Sequence, residues 1–298
     1  MLLRNSKNQK KGLFLSIETV AVIIIITAIA AVIVSGIAHL FKMYKVYQIS
    51  RDIAQYSEAV TQFKISFKFL PGDVPSTKLG SGLNNSFLST DVNNTFFKAA
   101  LPRGFISKES GTSLAWRELA LAKLISFNIN LSSVPPVSAT TGCATAGVST
   151  LVSGGYIPTA TWDDTVAWAL VSDQSTNGVV KDALLASTWG SSKPRLILFR
   201  HGKLTTATDC LADIAIASKD VGAISPNIAA EVDAKIDDGL PSAVTSNMIS
   251  ENYVANTCTN VGAATGAPLN VLSAAYNSSN DDSGTKGCVI QVGIVTNE

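Results

Sequence analysis

Four cysteines, two histidines and a few clustered acids are the residues of this chain that could do chemistry. Cys143, Cys210, Cys258 and Cys288 form an even set with no CxxC spacing to hold zinc or run thiol exchange. Pairing is the use left to them. Cys258 and Cys288 lie closest and can close a loop of about thirty residues, worth roughly 3–4 kcal/mol in the chain-entropy account, which leaves Cys143 for Cys210. The alternative is four reduced thiols buried as small apolar residues. His39 falls at the end of an apolar run, so His201 is the one imidazole for the remainder. That excludes most zinc sites. A Ser-His-Asp arrangement would have to use His201, which reads better as a turn residue beside Gly202 at the end of a strand-like run. No HExxH, nucleophile elbow, phosphate loop or dinucleotide fingerprint is present. The acids of the Asp237-Asp238-Gly239 turn can bind a cation but read first as solvated turn residues. Asn280-Asp281-Asp282-Ser283-Gly284 lacks the ligand spacing and closing Glu of an EF-hand loop. No metal ligands are assigned, calcium is the one cofactor left open, and the expectation is a protein without an active site.

Glu18 is an acid at the start of an apolar run. Residues 19–38 carry no formal charge and are dominated by Ile, Val and Ala, enough for a helix to cross a bilayer core of about 30 Å. Translocon scales put a charge at mid-membrane at up to about 3 kcal/mol, so Glu18 must either reach interfacial water or find a cation. Arg4, Lys7, Lys10 and Lys11 precede the run without a single acid. The positive-inside tendency then places residues 1–11 in the cytoplasm and the cysteines on the far side, where disulfides survive. The remaining bulk is unremarkable: 298 residues, 46% apolar, 15% charged and net +1, with no basic stripe, so a nucleic-acid partner is not expected.

Beyond the apolar run the pattern stays helical. Val46, Ile49, Ile53, Tyr56, Val60, Phe63 and Phe67 recur at steps of three and four, with Arg51, Asp52, Glu58 and Lys64 off the stripe. No Pro or Gly interrupts residues 37–70, so one helix over 13–69 is expected, about 85 Å long, stopped by Pro71-Gly72. A membrane helix with a separate coiled-coil stalk is the competing arrangement.

Lys10-Lys11-Gly12-Leu13-Phe14-Leu15-Ser16-Ile17-Glu18 and the apolar run after it resemble the type IV prepilin signal. The resemblance implies cleavage by a membrane prepilin peptidase and methylation of the new amino terminus. Gly12, Leu13 and Phe14 are the processing residues. Cleavage after Gly12 suits a subsite built for a small residue and places Glu18 five residues beyond Leu13; cleavage after Leu13 gives the family's four-residue spacing from Phe14 to Glu18. By the same resemblance, Glu18 balances the α-amino group of a neighbouring subunit and sets register during assembly. A signal-peptidase site at Ala28-Ile29-Ala30 competes, although the apolar run continues past it to Ala38. So does a plain signal anchor.

Three landmarks further along strengthen the likeness. Leu70-Pro71-Gly72-Asp73, Trp116-Arg117-Glu118-Leu119-Ala120-Leu121-Ala122-Lys123-Leu124-Ile125 and Val232-Asp233-Ala234-Lys235-Ile236-Asp237-Asp238-Gly239-Leu240-Pro241 resemble, in order, segments of a bacterial group with prepilin-type N-termini and an LPGD turn. This implies an α+β, pilin-like fold, with a long N-terminal helix laid on an antiparallel sheet. The expected organisation is a leader over 1–12, a spine helix over 13–70 that is transmembrane at about 19–40, and a soluble head over 71–298. The implied role is a minor pilin or pseudopilin of a type IV pilus or type II secretion-type filament. Its partners would be other pilin-like subunits, the prepilin peptidase, an inner-membrane assembly platform and membrane lipid. It would sit in the inner membrane with a periplasmic head, then in the pilus or pseudopilus. Some secretion pseudopilins hold calcium in a C-terminal loop. The alternative function is a signal-anchored periplasmic binding or hydrolytic domain.

Within the head, the residues alone predict a short amphipathic helix over 116–125, with Leu114, Leu121, Leu124 and Ile125 available for burial. Ser225-Pro226 is a good start for a second, over 226–236. Strands are expected at 166–171, 195–200 and 288–295, and exposed loops at 131–155 and 259–287.

Overall fold

A computed structural model describes residues 17–74, 106, 109–131, 148–172, 194–201, 222–241, 248–252, 258–260, 275–277 and 287–295. Its first element, α1 (Ile17–Phe67), is one unbroken helix of 51 residues, about 77 Å long at 1.5 Å per residue. The compact units of the chain divide within it, between Tyr44 and Lys45, so the second half of the helix belongs with the head.

From Val46 onward the stripe does what its spacing dictates. Val46, Ile49, Ile53, Tyr56, Val60 and Phe63 are buried, and Phe67 is packed against them at the rim. Each such side chain contributes roughly 1.5–3 kcal/mol relative to leaving it in water. Asp52 departs from expectation. It lies off the stripe yet is buried, 3.6 Å from Arg51. Burial pushes its carboxyl upward from the ordinary range, and Arg51 and the nearby Trp168 indole pull partly back.

The helix ends at Lys68, whose amide donates to the Lys64 carbonyl and whose φ is +66°. The Leu70-Pro71-Gly72-Asp73 turn follows, with Pro at its second position, Gly72 at φ +82° at its third and the Asp73 amide on the Leu70 carbonyl. A positive φ at the third position is the type II requirement that glycine meets without steric cost.

The second helix, α2 (Glu109–Leu121), begins and ends earlier than the 116–125 expected. Its end is a Schellman motif: the Lys123 amide bonds the Ala120 carbonyl, the Leu124 amide bonds the Leu119 carbonyl, and Lys123 takes φ +57°. Nor is it amphipathic. Ser113 to Leu119 are all buried, Arg117 and Glu118 included, whereas Leu121 and Leu124 are only partly covered.

The helix α3 (Val148–Ser153) corrects the reading of 131–155 as exposed loop, because Leu151 and Val152 enter the core. Its β-branched residues and serines are poor helix formers. A second Schellman end on Gly155, at φ +72°, closes it.

Among the described residues, five strands form one antiparallel sheet in the order β1-β2-β3-β5-β4. They are β1 (Thr159–Ala160), β2 (Asp163–Val171), β3 (Arg195–Arg200), β4 (Met248–Asn252) and β5 (Cys288–Gly293). Val166–Val171, Arg195–Phe199 and Cys288–Val292 are buried at consecutive positions, so both faces of the central strands are covered. Helix α4 (Pro226–Ile236) matches its expected bounds and packs on β4 and β5. The architecture is α+β, a long helix with an antiparallel sheet.

Tyr56 ties α1 to the rest, with Trp116 of α2 at 4.8 Å and Trp168 of β2 at 5.9 Å, both edge-on. Two cation–π contacts flank it, Lys45 over Trp162 and Lys235 over Tyr47. A disulfide joins Cys258 to Cys288, with Cα atoms 4.9 Å apart, at the start of the central strand β5. Thr259 is buried and bridges to Tyr276, which corrects the view of 259–287 as wholly exposed. Cys143 and Cys210 lie outside the described residues.

Candidate functional site: an apolar helix and a carboxylate clasp

The first half of α1 is long and apolar enough to cross a membrane. Its large side chains are exposed throughout: Ile24 at 61%, Val32 at 72% and Val34 at 66%. An apolar surface of this extent is unfavourable in water and suits contact with lipid or another apolar helix. The Thr27 hydroxyl makes no demand on that environment, since its Oγ1 donates to the Ile24 carbonyl one turn back. Glu18 is exposed in the first described turn. Gly12, Leu13 and Phe14 lie outside the described residues.

In the head, two of the sequence landmarks meet physically. The Gly72 amide donates to Glu118 Oε2 at 2.6 Å, so the turn that stops α1 is clasped by the acid two residues after Trp116. Glu118 is buried, as is Asp73. Around it, Arg117 Nη2 donates to the Leu131 carbonyl at 3.0 Å and Gln55 Nε2 to Ser126 Oγ at 3.1 Å. The segment leaving α2 is thereby held against α1. Sequence reasoning missed Glu118. Its only signal was a charged residue inside an apolar segment, which a solvent-facing position would explain as well.

Burial pushes the Glu118 carboxyl up to about 8; the Gly72 amide opposes this and the neighbouring Asp73 charge adds to it. The unfolded chain therefore loses this proton near the ordinary value of 4.5 while the folded chain keeps it to about 8. Across that window the unfolded state binds fewer protons, so stability falls as pH rises and levels off above it, by up to about 1.4 kcal/mol per pH unit for one group. Glu118→Gln keeps an acceptor for the Gly72 amide and removes the ionisation. It is expected to make the decline between pH 5 and 8 shallower and to leave the variant more stable than the parent at pH 8. Denaturation midpoints of the detergent-solubilised chain across that range check this.

His201 and its neighbours make contacts within the sheet. The His201 amide donates to the Thr165 carbonyl, and its Nε2 lies 2.7 Å from the Asp164 carbonyl, extending the β2–β3 pairing. Arg200 reaches Asp163 Oδ2 at 3.3 Å and Thr165 Oγ1 at 3.0 Å. Asn280 to Gly284 lie outside the described residues. No family model, curated protein or solved structure matches the chain.

Proposed function

We propose that this chain is a pilin-like structural subunit, anchored in the inner membrane by the first half of α1 and later packed through it into a type IV pilus or type II secretion-type filament. The observation that carries this reading is one continuous 51-residue helix with two different surfaces: an uncharged apolar half that is exposed, and a second half whose stripe is buried in a folded head. A simple anchor needs only the apolar half. A filament subunit needs both, because the apolar halves of many copies bundle into a core while the buried stripes hold each head at a fixed place on its own helix. Glu18, an acid at the start of the apolar half, supplies a charge that a neighbouring amino terminus can neutralise, and Lys10 to Glu18 resembles a sequence that would free such a terminus.

In cells that carry a prepilin peptidase and a filament machine, the chain is expected to appear in the sheared filament fraction alongside other pilin-like subunits. It is expected to stay with the membrane when the peptidase is deleted. Recovery in the membrane alone under both conditions would favour an anchored periplasmic binding or hydrolytic domain.

A further inference from the structure

The end of α4 is electrostatically inverted. A helix C-terminus carries partial negative charge and favours cations, yet Asp233, Asp237 and Asp238 gather there. Lys235, the basic residue of the last turn, is directed elsewhere, with Nζ 5.3 Å from the centre of the Tyr47 ring. The three acids present one oxygen each within 4.8 Å of one another. Three carboxylates this close, added to a helix end of the same sign, repel strongly unless something positive sits among them.

Asp233 gives the second observation. Its side chain is fully buried. Oδ2 accepts the Tyr276 hydroxyl at 2.6 Å, whereas Oδ1 has no hydrogen-bond partner among the described residues. Burial pushes this carboxyl upward from its ordinary range, the charges of Asp237 and Asp238 add to that, and the Tyr276 hydroxyl and the Gly239 amide pull partly back. A buried carboxylate oxygen left without a donor costs more than almost any other polar defect, and here it belongs to the acid cluster itself.

We propose that Asp233, Asp237 and Asp238 bind a divalent cation of the hard, oxygen-seeking class, with Ca2+ as the ion of matching size. The surrounding hydrogen bonds fix the ligands in place. Asp237 Oδ2 accepts the Met248 amide at 2.8 Å and Asp238 Oδ1 accepts the Leu240 amide at 2.9 Å, so each acid is anchored through one oxygen. Burial is graded from Asp233 through Asp237 to the exposed Asp238, which opens the cluster to solvent on one side. Ca2+ takes six to eight oxygens at about 2.3–2.6 Å, and water completes its shell on that side. Tyr276, which positions Asp233, is held by the disulfide segment: Asn277 donates to the Cys258 carbonyl and Asn260 to the Ala275 carbonyl. The site therefore joins α4, β4 and the described segments 258–260 and 275–277.

The test uses the full-length chain in detergent, stripped with EDTA and titrated with Ca2+ alone. Its unfolding temperature is expected to rise with the logarithm of Ca2+ above the dissociation constant, by roughly 5–10 °C at a hundredfold excess, and direct binding to saturate at one ion per chain. Asp233→Asn, which keeps an acceptor for Tyr276, is expected to remain folded without Ca2+ and to lose the rise. Should that variant fold poorly, Asp238→Asn at the exposed rim serves instead, with the half-saturating Ca2+ concentration raised at least about tenfold, the loss of one good ligand being worth about 1.4 kcal/mol. A parent chain whose unfolding temperature ignores Ca2+ would overturn the proposal, and so would an equal response in parent and variants, which would put the ion elsewhere.

Discussion

Glu18→Ala is expected to insert into the membrane as well as the parent chain while its incorporation into filaments falls at least about tenfold. Insertion is driven by the uncharged run that follows, and removing an acid from its border lowers the cost of entering lipid. Under the proposed role assembly differs, because a filament would surround Glu18 with other helices. There, a carboxylate next to a neighbour's amino group is charge-assisted and screened little by salt. Losing 1.4 kcal/mol at a contact repeated in every subunit is already tenfold in each addition step. Glu18→Gln separates charge from size: it retains shape and hydrogen bonding, and is expected to assemble nearly as poorly as the alanine variant. Equal amounts of parent and Glu18→Ala chain in sheared filaments would remove the role assigned to this acid.

Trp116→Ala is expected to cost about 3–5 kcal/mol, the range for deleting a buried aromatic side chain. Against a typical domain stability of 5–15 kcal/mol, that leaves the head near or below its folding threshold. Trp116 has no exposed surface and meets Tyr56 edge-on at 4.8 Å, so it links α2 to the buried stripe of α1. Its Nε1 has no hydrogen-bond partner among the described residues, so Trp116→Phe sacrifices no polar contact and is expected to cost clearly less than the alanine change. Denaturant unfolding of the solubilised chain, followed by the fluorescence of the remaining tryptophans, gives both values. Similar losses in the two variants would mean that the indole's contact with Tyr56 matters little.

The parts of the fold that were legible in the sequence are those whose signal is local. The stripe from Val46 to Phe67 has helical spacing over six turns, and every member is buried or packed at the rim. Ser225-Pro226 marked the start of α4, and the apolar run Arg195 to Arg200 gave β3 at its observed bounds. What escaped depends on distant partners. Strand β4, Met-Ile-Ser-Glu-Asn, has no strand-like composition and exists because β5 pairs with it from Met248↔Val292 to Asn252↔Cys288. Helix α3 is six residues of weak propensity, held by burial of Leu151 and by a cap on Gly155.

The same distinction governs the candidate sites. The apolar half of α1 is visible because membrane solvation acts on composition alone. Asp52, Glu118 and Asp233 are not, because an acid reads as solvated until the fold shows it enclosed. Glu118 and Gly72 stand 46 positions apart, and Asp233 and Tyr276 stand 43 apart, so no spacing rule could have joined them. The pairing of Cys258 with Cys288 was legible as the shorter loop, and the disulfide at the head of β5 agrees with it.

The central claim turns on the amino terminus, and intact-mass measurement of protein extracted from the membranes of a peptidase-competent cell tests it most directly. The expected product is a chain lacking residues 1–12, or 1–13 if the cut follows Leu13, and carrying one added methyl group. A mass that still includes Met1 to Gly12, unmethylated, in such a cell would contradict it.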